Sequence, residues 1–137
     1  PCAPEKLAAD PSLKTCDLSG ERVLGAPDWI INPGVRVEHE LRQGLKAYGI
    51  ANYSWRSEFN IAADDSMFAD VDGYGIANLR VGLRGGAGAA AWDFSVFANN
   101  AFAEEYVQFG IGQSHYGVYP GFSGPPRLIG ATLRVNF

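Results

Sequence analysis

The stretch Leu128-Ile129-Gly130-Ala131-Thr132-Leu133-Arg134-Val135-Asn136-Phe137 alternates in character from one residue to the next. In an extended chain, successive side chains point to opposite faces. Ile129, Ala131, Leu133, Val135 and Phe137 therefore share one face, and Leu128, Gly130, Thr132, Arg134 and Asn136 share the other. An apolar row opposite a row with arginine and asparagine predicts a strand, because a helix would repeat its apolar positions every three or four residues.

The same period runs back through the chain. From Trp92 to Asn99, Trp92, Phe94, Val96 and Ala98 oppose Asp93, Ser95, Phe97 and Asn99. From Tyr74 to Arg84, Gly75, Ala77, Leu79, Val81 and Leu83 oppose Tyr74, Ile76, Asn78, Arg80, Gly82 and Arg84. From Leu45 to Arg56, Leu45, Ala47, Gly49, Ala51, Tyr53 and Trp55 oppose Lys46, Tyr48, Ile50, Asn52, Ser54 and Arg56. From Trp29 to Leu41, an apolar face broken by His39 opposes Asn32, Gly34, Arg36, Glu38 and Glu40. Pro33 is the misfit in this first strand. It has no N–H for a ladder, so a bulge or a strand start near Gly34 is expected.

Alternation alone also suits a soluble sandwich, and three further features separate the cases. The strands are far longer than the roughly five or six residues usual in soluble proteins, and they match the about nine to eleven that a tilted membrane strand needs. Connections alternate between short (Arg42 to Gly44, Gly85 to Ala91) and long (Ser57 to Gly73, Asn100 to Pro126), as in outer-membrane barrels. On the apolar face, Trp29, Tyr53 and Trp55 gather at the long-loop end, and Trp92 and Phe137 at the short-turn end, like two interfacial girdles. The expected fold is all-β: an open, curved, antiparallel five-stranded meander forming part of a transmembrane β-barrel. Residues 1–28 read as an external loop, and residues 29–137 as five strands with long external loops and short periplasmic turns.

Composition narrows the function. The 137 residues suffice for one domain. With 11 Lys and Arg against 15 Asp and Glu, the net charge of -4 excludes a strongly basic nucleic-acid binder. The longest uncharged stretch, Tyr106 to Pro126, is interrupted by glycines and prolines and cannot be a membrane helix. No signal-peptide pattern is visible at Pro1. There is no C-x-x-C, no nearby histidine pair and no Gly-x-Ser-x-Gly. Gly82 to Gly88 lacks the Lys-Ser/Thr ending of a phosphate loop and precedes a strand, not a helix. The chain reads as neither an enzyme nor a holder of a cofactor or metal.

Four motifs in order carry a family resemblance. The ending Pro126-Arg127 through Gly130 to Phe137 resembles the last strand of TonB-dependent outer-membrane receptors. Gly25-Ala26-Pro27-Asp28-Trp29 with Asn32 and Gly34 is similar to their Gly-x-Pro-x-Trp-x-x-Asn-x-Gly strand opening. Tyr53-Ser54-Trp55-Arg56-Ser57 is similar to their aromatic-Ser-aromatic-Arg-Ser stretch. Asn100 to Tyr106 is similar to their Asn-leucine-acidic-Tyr motif, with Phe102 in place of a small aliphatic residue. The resemblance spans Cys16 to Phe137. It implies a C-terminal fragment, because barrels of this kind have about 22 strands around a plug, and neither a plug nor a TonB box is present here. It further implies the outer membrane of a Gram-negative bacterium and uptake of a scarce, large solute such as a ferric siderophore. The implied partners are lipid, the rest of the barrel and its plug, TonB through that plug, and the barrel-assembly machinery, whose signal would lie in Leu133, Val135 and Phe137.

Individual residues have competing readings. Cys2 and Cys16 read as a disulfide closing a loop of about fifteen residues, worth roughly 3 kcal/mol, with a thiol or metal role as the other reading. Arg36, Arg56, Arg80 and Arg134, with Lys46 and Arg84, would face the lumen and attract an anionic solute, or simply pair with Glu38, Glu40, Asp93 or a plug. His115, Tyr116 and Tyr119, near Phe122, suit recognition of a flat ligand, and loop packing accounts for them equally. Asp64, Asp65, Asp70 and Asp72 read as part of a solvated external loop, since calcium needs six to eight converging oxygens. Two rival functions remain: a porin or adhesin barrel, and a soluble extracellular β-sandwich binding module. The sandwich would bring Val35, Leu79 and Leu133 into one core, whereas the barrel segment would spread them over one surface.

Overall fold

A computed structural model describes residues 8–12, 23–62, 66–87, 90–110 and 118–136. The chain is all-β. Its strands are β1 (Ile30–Ile31), β2 (Gly34–Arg42), β3 (Leu45–Arg56), β4 (Phe59–Asn60), β5 (Asp70–Val71), β6 (Tyr74–Ala87), β7 (Ala90–Asn99), β8 (Val107–Gly110), β9 (Gly121–Ser123) and β10 (Leu128–Asn136). One 3-10 turn, Met67–Ala69, precedes β5. Among the described residues no helix is long and apolar enough to cross a membrane, which says nothing about strands.

The chain divides into two compact units. The sheet unit draws on 31–55, 75–104 and 125–137, and the loop unit on 1–30, 56–74 and 105–124. The main sheet runs β1-β3-β6-β7-β10, with β2 also on β3. β1 and β2 together occupy the first predicted strand, and the break falls at Asn32-Pro33. Pro33 lends the ladder only its carbonyl, which accepts from the Tyr53 N–H at 3.0 Å, and regular pairing begins at Gly34 opposite Asn52. The β2–β3 hairpin closes through Gly44, whose φ of +76° favours glycine, after a bulge between Glu40 and Arg42. β6–β7 and β7–β10 pair antiparallel. β6 also runs antiparallel to β3: Gly75 lies by Tyr53, Gly82 by Tyr48, and the Gly86 N–H donates to the Gly44 carbonyl at 3.3 Å.

The registers preserve the alternation across strands. Leu83, Phe94 and Leu133 align in one row, and so do Val81, Val96 and Ala131. On the opposite face, Arg84, Asp93 and Arg134 align. No sheet or helix among the described residues covers the apolar rows. Val35 is 58% exposed, Val81 63% and Leu133 67%. Leu79 is exposed as well, so the side chains that a sandwich would gather into one core stay uncovered.

Burial is concentrated in the loop unit. Phe59, Ile61, Ala62, Ala69 and Tyr74 are buried there, together with the polar Asn60 and Ser66. This differs from the solvated loop expected over Ser57 to Gly73. The reason is one side chain. Asn60 donates to the Ser66 carbonyl at 2.7 Å and to Asp70 Oδ1 at 2.8 Å, and it accepts from the Ala62 N–H at 2.8 Å. Those bonds satisfy groups that would otherwise keep the segment in water. β4 then pairs with β5, Phe59 opposite Val71. The second long loop carries its own hairpin, β8 on β9, with Phe109 and Phe122 stacked at 4.6 Å. A Cβ on Gly110 would lie 2.6 Å from Ile61, so only glycine lets this hairpin pack so closely there.

Candidate functional site

The polar face of the sheet unit is the candidate site. Alternation places cations from four strands on it, and the registers set them on neighbouring levels. Glu38 pairs opposite Tyr48, and Arg84 opposite Asp93, itself opposite Arg134. Glu38 is the hub. Arg84 Nη2 donates to its Oε2, while Arg36 Nη2 lies 3.6 Å from Oε2 and Lys46 Nζ 3.6 Å from Oε1. Beside it, the Tyr48 hydroxyl donates to Asp93 Oδ1 at 2.8 Å, and the Tyr48 ring lies across Gly82, where a Cβ would come within 2.5 Å of it. Exposed ion pairs add little stability. Their effect is to hold long side chains in place around one carboxylate and to leave cationic charge in excess.

One level away, Arg80 Nη1 donates to the Ser95 hydroxyl at 2.9 Å, and its guanidinium stacks 5.1 Å from the Phe97 ring centre. Ser95 is fully buried, so the arginine satisfies a hydroxyl that has left water. Near the short turns a groove of about 450 Å³ opens on the same unit. Lys46, Arg84, Arg134, Asp93, Asn136 and Trp92 line it.

At the far end of β7, Asn100 forms a clamp. It is buried and has φ +50°. Its Nδ2 donates to the Glu104 carbonyl at 2.8 Å and to the Pro125 carbonyl at 3.2 Å, and its Oδ1 accepts from the Glu104 N–H at 2.8 Å. Its own N–H donates to Asn78 Oδ1 at 3.1 Å. One side chain thus ties together residues 104 and 125, which bracket the second long loop.

Of the residues singled out from sequence, Arg36, Arg80 and Arg134 share this polar face. Arg56, the last residue of β3, is grouped with the loop unit, its guanidinium 5.8 Å from the Phe59 ring centre and 5.3 Å from that of Tyr74, and Tyr74 in turn packs on Tyr106 at 4.6 Å. The ring stack, not a charged row, is its setting. Tyr119 is half-buried in the loop unit. Leu133 and Val135 lie on the exposed apolar face. Cys2, Cys16, Asp64, Asp65, His115, Tyr116 and Phe137 lie outside the described residues. Among the described residues no three of His, Cys, Asp or Glu converge as a metal-holding group.

The sequence reading gave no site role to Tyr48, Ser95 or Asn100. The parity of Tyr48 and Ser95 within their strands was the available signal, since both fall on the arginine-bearing face. For Asn100 the signal was the Asn99-Asn100 pair directly after a strand, a place where asparagine tolerates positive φ. Compared with protein-family models, curated proteins and solved structures, the chain matches none.

Proposed function

We propose that this chain supplies part of the wall of an outer-membrane transport barrel of the TonB-dependent kind, serving uptake of a large, scarce solute such as a ferric siderophore. The observation that carries this reading is the sheet's division of labour. A long-stranded single sheet leaves Val35, Val81 and Leu133 uncovered on one face and places Glu38, Arg84, Asp93 and Arg134 on the other. In water such an apolar face promotes association, and in a bilayer it meets lipid while the charged face lines an aqueous lumen. Strands of 9, 12, 14, 10 and 9 residues in β2, β3, β6, β7 and β10 are long enough to cross. The sheet has two edges, at β1/β2 and β10, and in lipid their unpaired backbone groups need neighbouring strands. The remaining barrel, with a plug engaging TonB, supplies them in this reading. Leu133 and Val135 then belong to the strand that the barrel-assembly machinery engages.

The test is depth and phase of contact in the intact outer-membrane protein. Single-cysteine variants V81C and L133C, carrying a fluorophore, should be quenched by nitroxide-labelled lipid and spared by aqueous iodide. Variants R36C and T132C, on the opposite face, should show the reverse. Equal iodide quenching of all four defeats the reading in favour of a water-soluble module. Uptake of a labelled ferric chelate that persists after collapse of the proton motive force assigns the barrel to passive diffusion instead.

A further inference from the structure

We infer that the groove at the short-turn end of the sheet binds a phosphate group. Three cations line it, Lys46, Arg84 and Arg134, against one carboxylate, Asp93. Asp93 remains a like charge toward any anion, but one of its oxygens already accepts the Tyr48 hydroxyl at 2.8 Å. Arg84 uses one nitrogen on Glu38 and keeps further N–H donors, since a guanidinium has five. Lys46 Nζ stands 3.6 Å from Glu38, a charge contact that leaves the ammonium protons available. Arg134 lies opposite Asp93 in the register, yet forms no ion pair among the described residues. Its fork is the anchor.

The donor set selects the ligand chemistry. Planar guanidinium forks match the paired oxygens of phosphate, and a lysine adds a point charge. Donors arriving from β3, β6 and β10 suit a multivalent oxyanion better than a single carboxylate, whose two oxygens cannot reach so many directions. The Asn136 amide adds neutral donors, and Trp92 borders the groove. At about 450 Å³ the groove exceeds a bare phosphate, so the group is carried on a larger molecule or is one of a linked pair. This inference stands on the groove alone and does not require the transport reading.

The test uses the full chain in detergent micelles with Trp29 and Trp55 changed to Phe, so that Trp92 reports alone. Inorganic phosphate, pyrophosphate and dihexanoyl phosphatidic acid below its micelle concentration are titrated at constant ionic strength, with chloride as the control. A saturable change in Trp92 emission with all three phosphates is expected, pyrophosphate being tightest. Arg134→Gln should weaken binding about tenfold, because a charge-assisted pair is lost. Arg134→Lys should weaken it less, because the charge remains and the fork is gone. Arg127→Gln, outside the groove, should leave it unchanged. Three results would overturn the inference: a response no larger than that to chloride, equal weakening by R134Q and R127Q, or a response to the lipid alone, which would place the recognition in acyl chains.

Discussion

The two units differ in which large side chains they bury. In the sheet unit Val35, Val37, Val81 and Leu133 stand exposed while Ser95 and Asn100 are buried. In the loop unit Phe59, Ile61 and Ala69 are buried. The difference lies in where hydrogen bonds are made. Strand pairing satisfies the sheet's backbone without requiring either face to be covered, so its apolar rows are left to the surrounding medium. The loop segments have short ladders, and they reach burial only where side chains such as Asn60 complete the backbone's bonding.

That contrast can be broken at several points. The largest expected effect is Phe59→Ala, which removes a fully buried ring and should cost the loop unit about 3–5 kcal/mol. Hydrogen exchange should show lost protection at Ile61 and Ala69 with β6–β7 amides unaffected, and a uniform loss would show that the two units unfold as one. Next comes Val81→Arg on the exposed apolar row. It should cost about 2–4 kcal/mol at the middle of a bilayer and nearly nothing in water. Heat-modifiable electrophoretic mobility of the membrane-assembled protein reads it, with Thr132→Arg on the polar face as the tolerated counterpart.

Asn100→Ala should follow. Removing its buried side chain takes that partner from the Glu104 N–H and the Pro125 carbonyl in part-buried bonds, at about 0.5–1.5 kcal/mol. Comparison with Asn100→Gly separates the clamp from the positive φ, since glycine relieves only the backbone. If both variants match wild type in limited proteolysis of the second long loop, the clamp does not hold that loop's base. The smallest effect belongs to Glu38→Gln. The carboxylate is exposed among three cations, so denaturant midpoints should barely move, and any change should vanish in high salt. A large shift would make the hub a stability element after all.

Much of the sheet was legible in advance because its signal is periodic. Each strand names its own faces, and Pro33 announced the break that the structure places before Gly34. The candidate site was half legible. Parity put Arg36, Arg56, Arg80 and Arg134 on one face, but it did not say which rings Arg56 stacks on. That residue's place among Phe59 and Tyr74 depends on how the segment after β3 folds. Nor does period two say which residues share a level. Only the registers set Arg84 against Asp93 and Arg134.

The amino-acid sequence by itself determined the long strands of the main sheet, their two chemistries and the sorting of short and long connections, because these depend on side-chain alternation and local backbone preference. Tertiary structure alone decided that Glu38 gathers Arg36, Lys46 and Arg84, that Asn60 builds a core inside a loop, and that Asn100 ties 104 to 125. These contacts join residues far apart in the chain or along turns without period. Their geometry exists only once strand register and loop path have brought the partners within hydrogen-bonding reach.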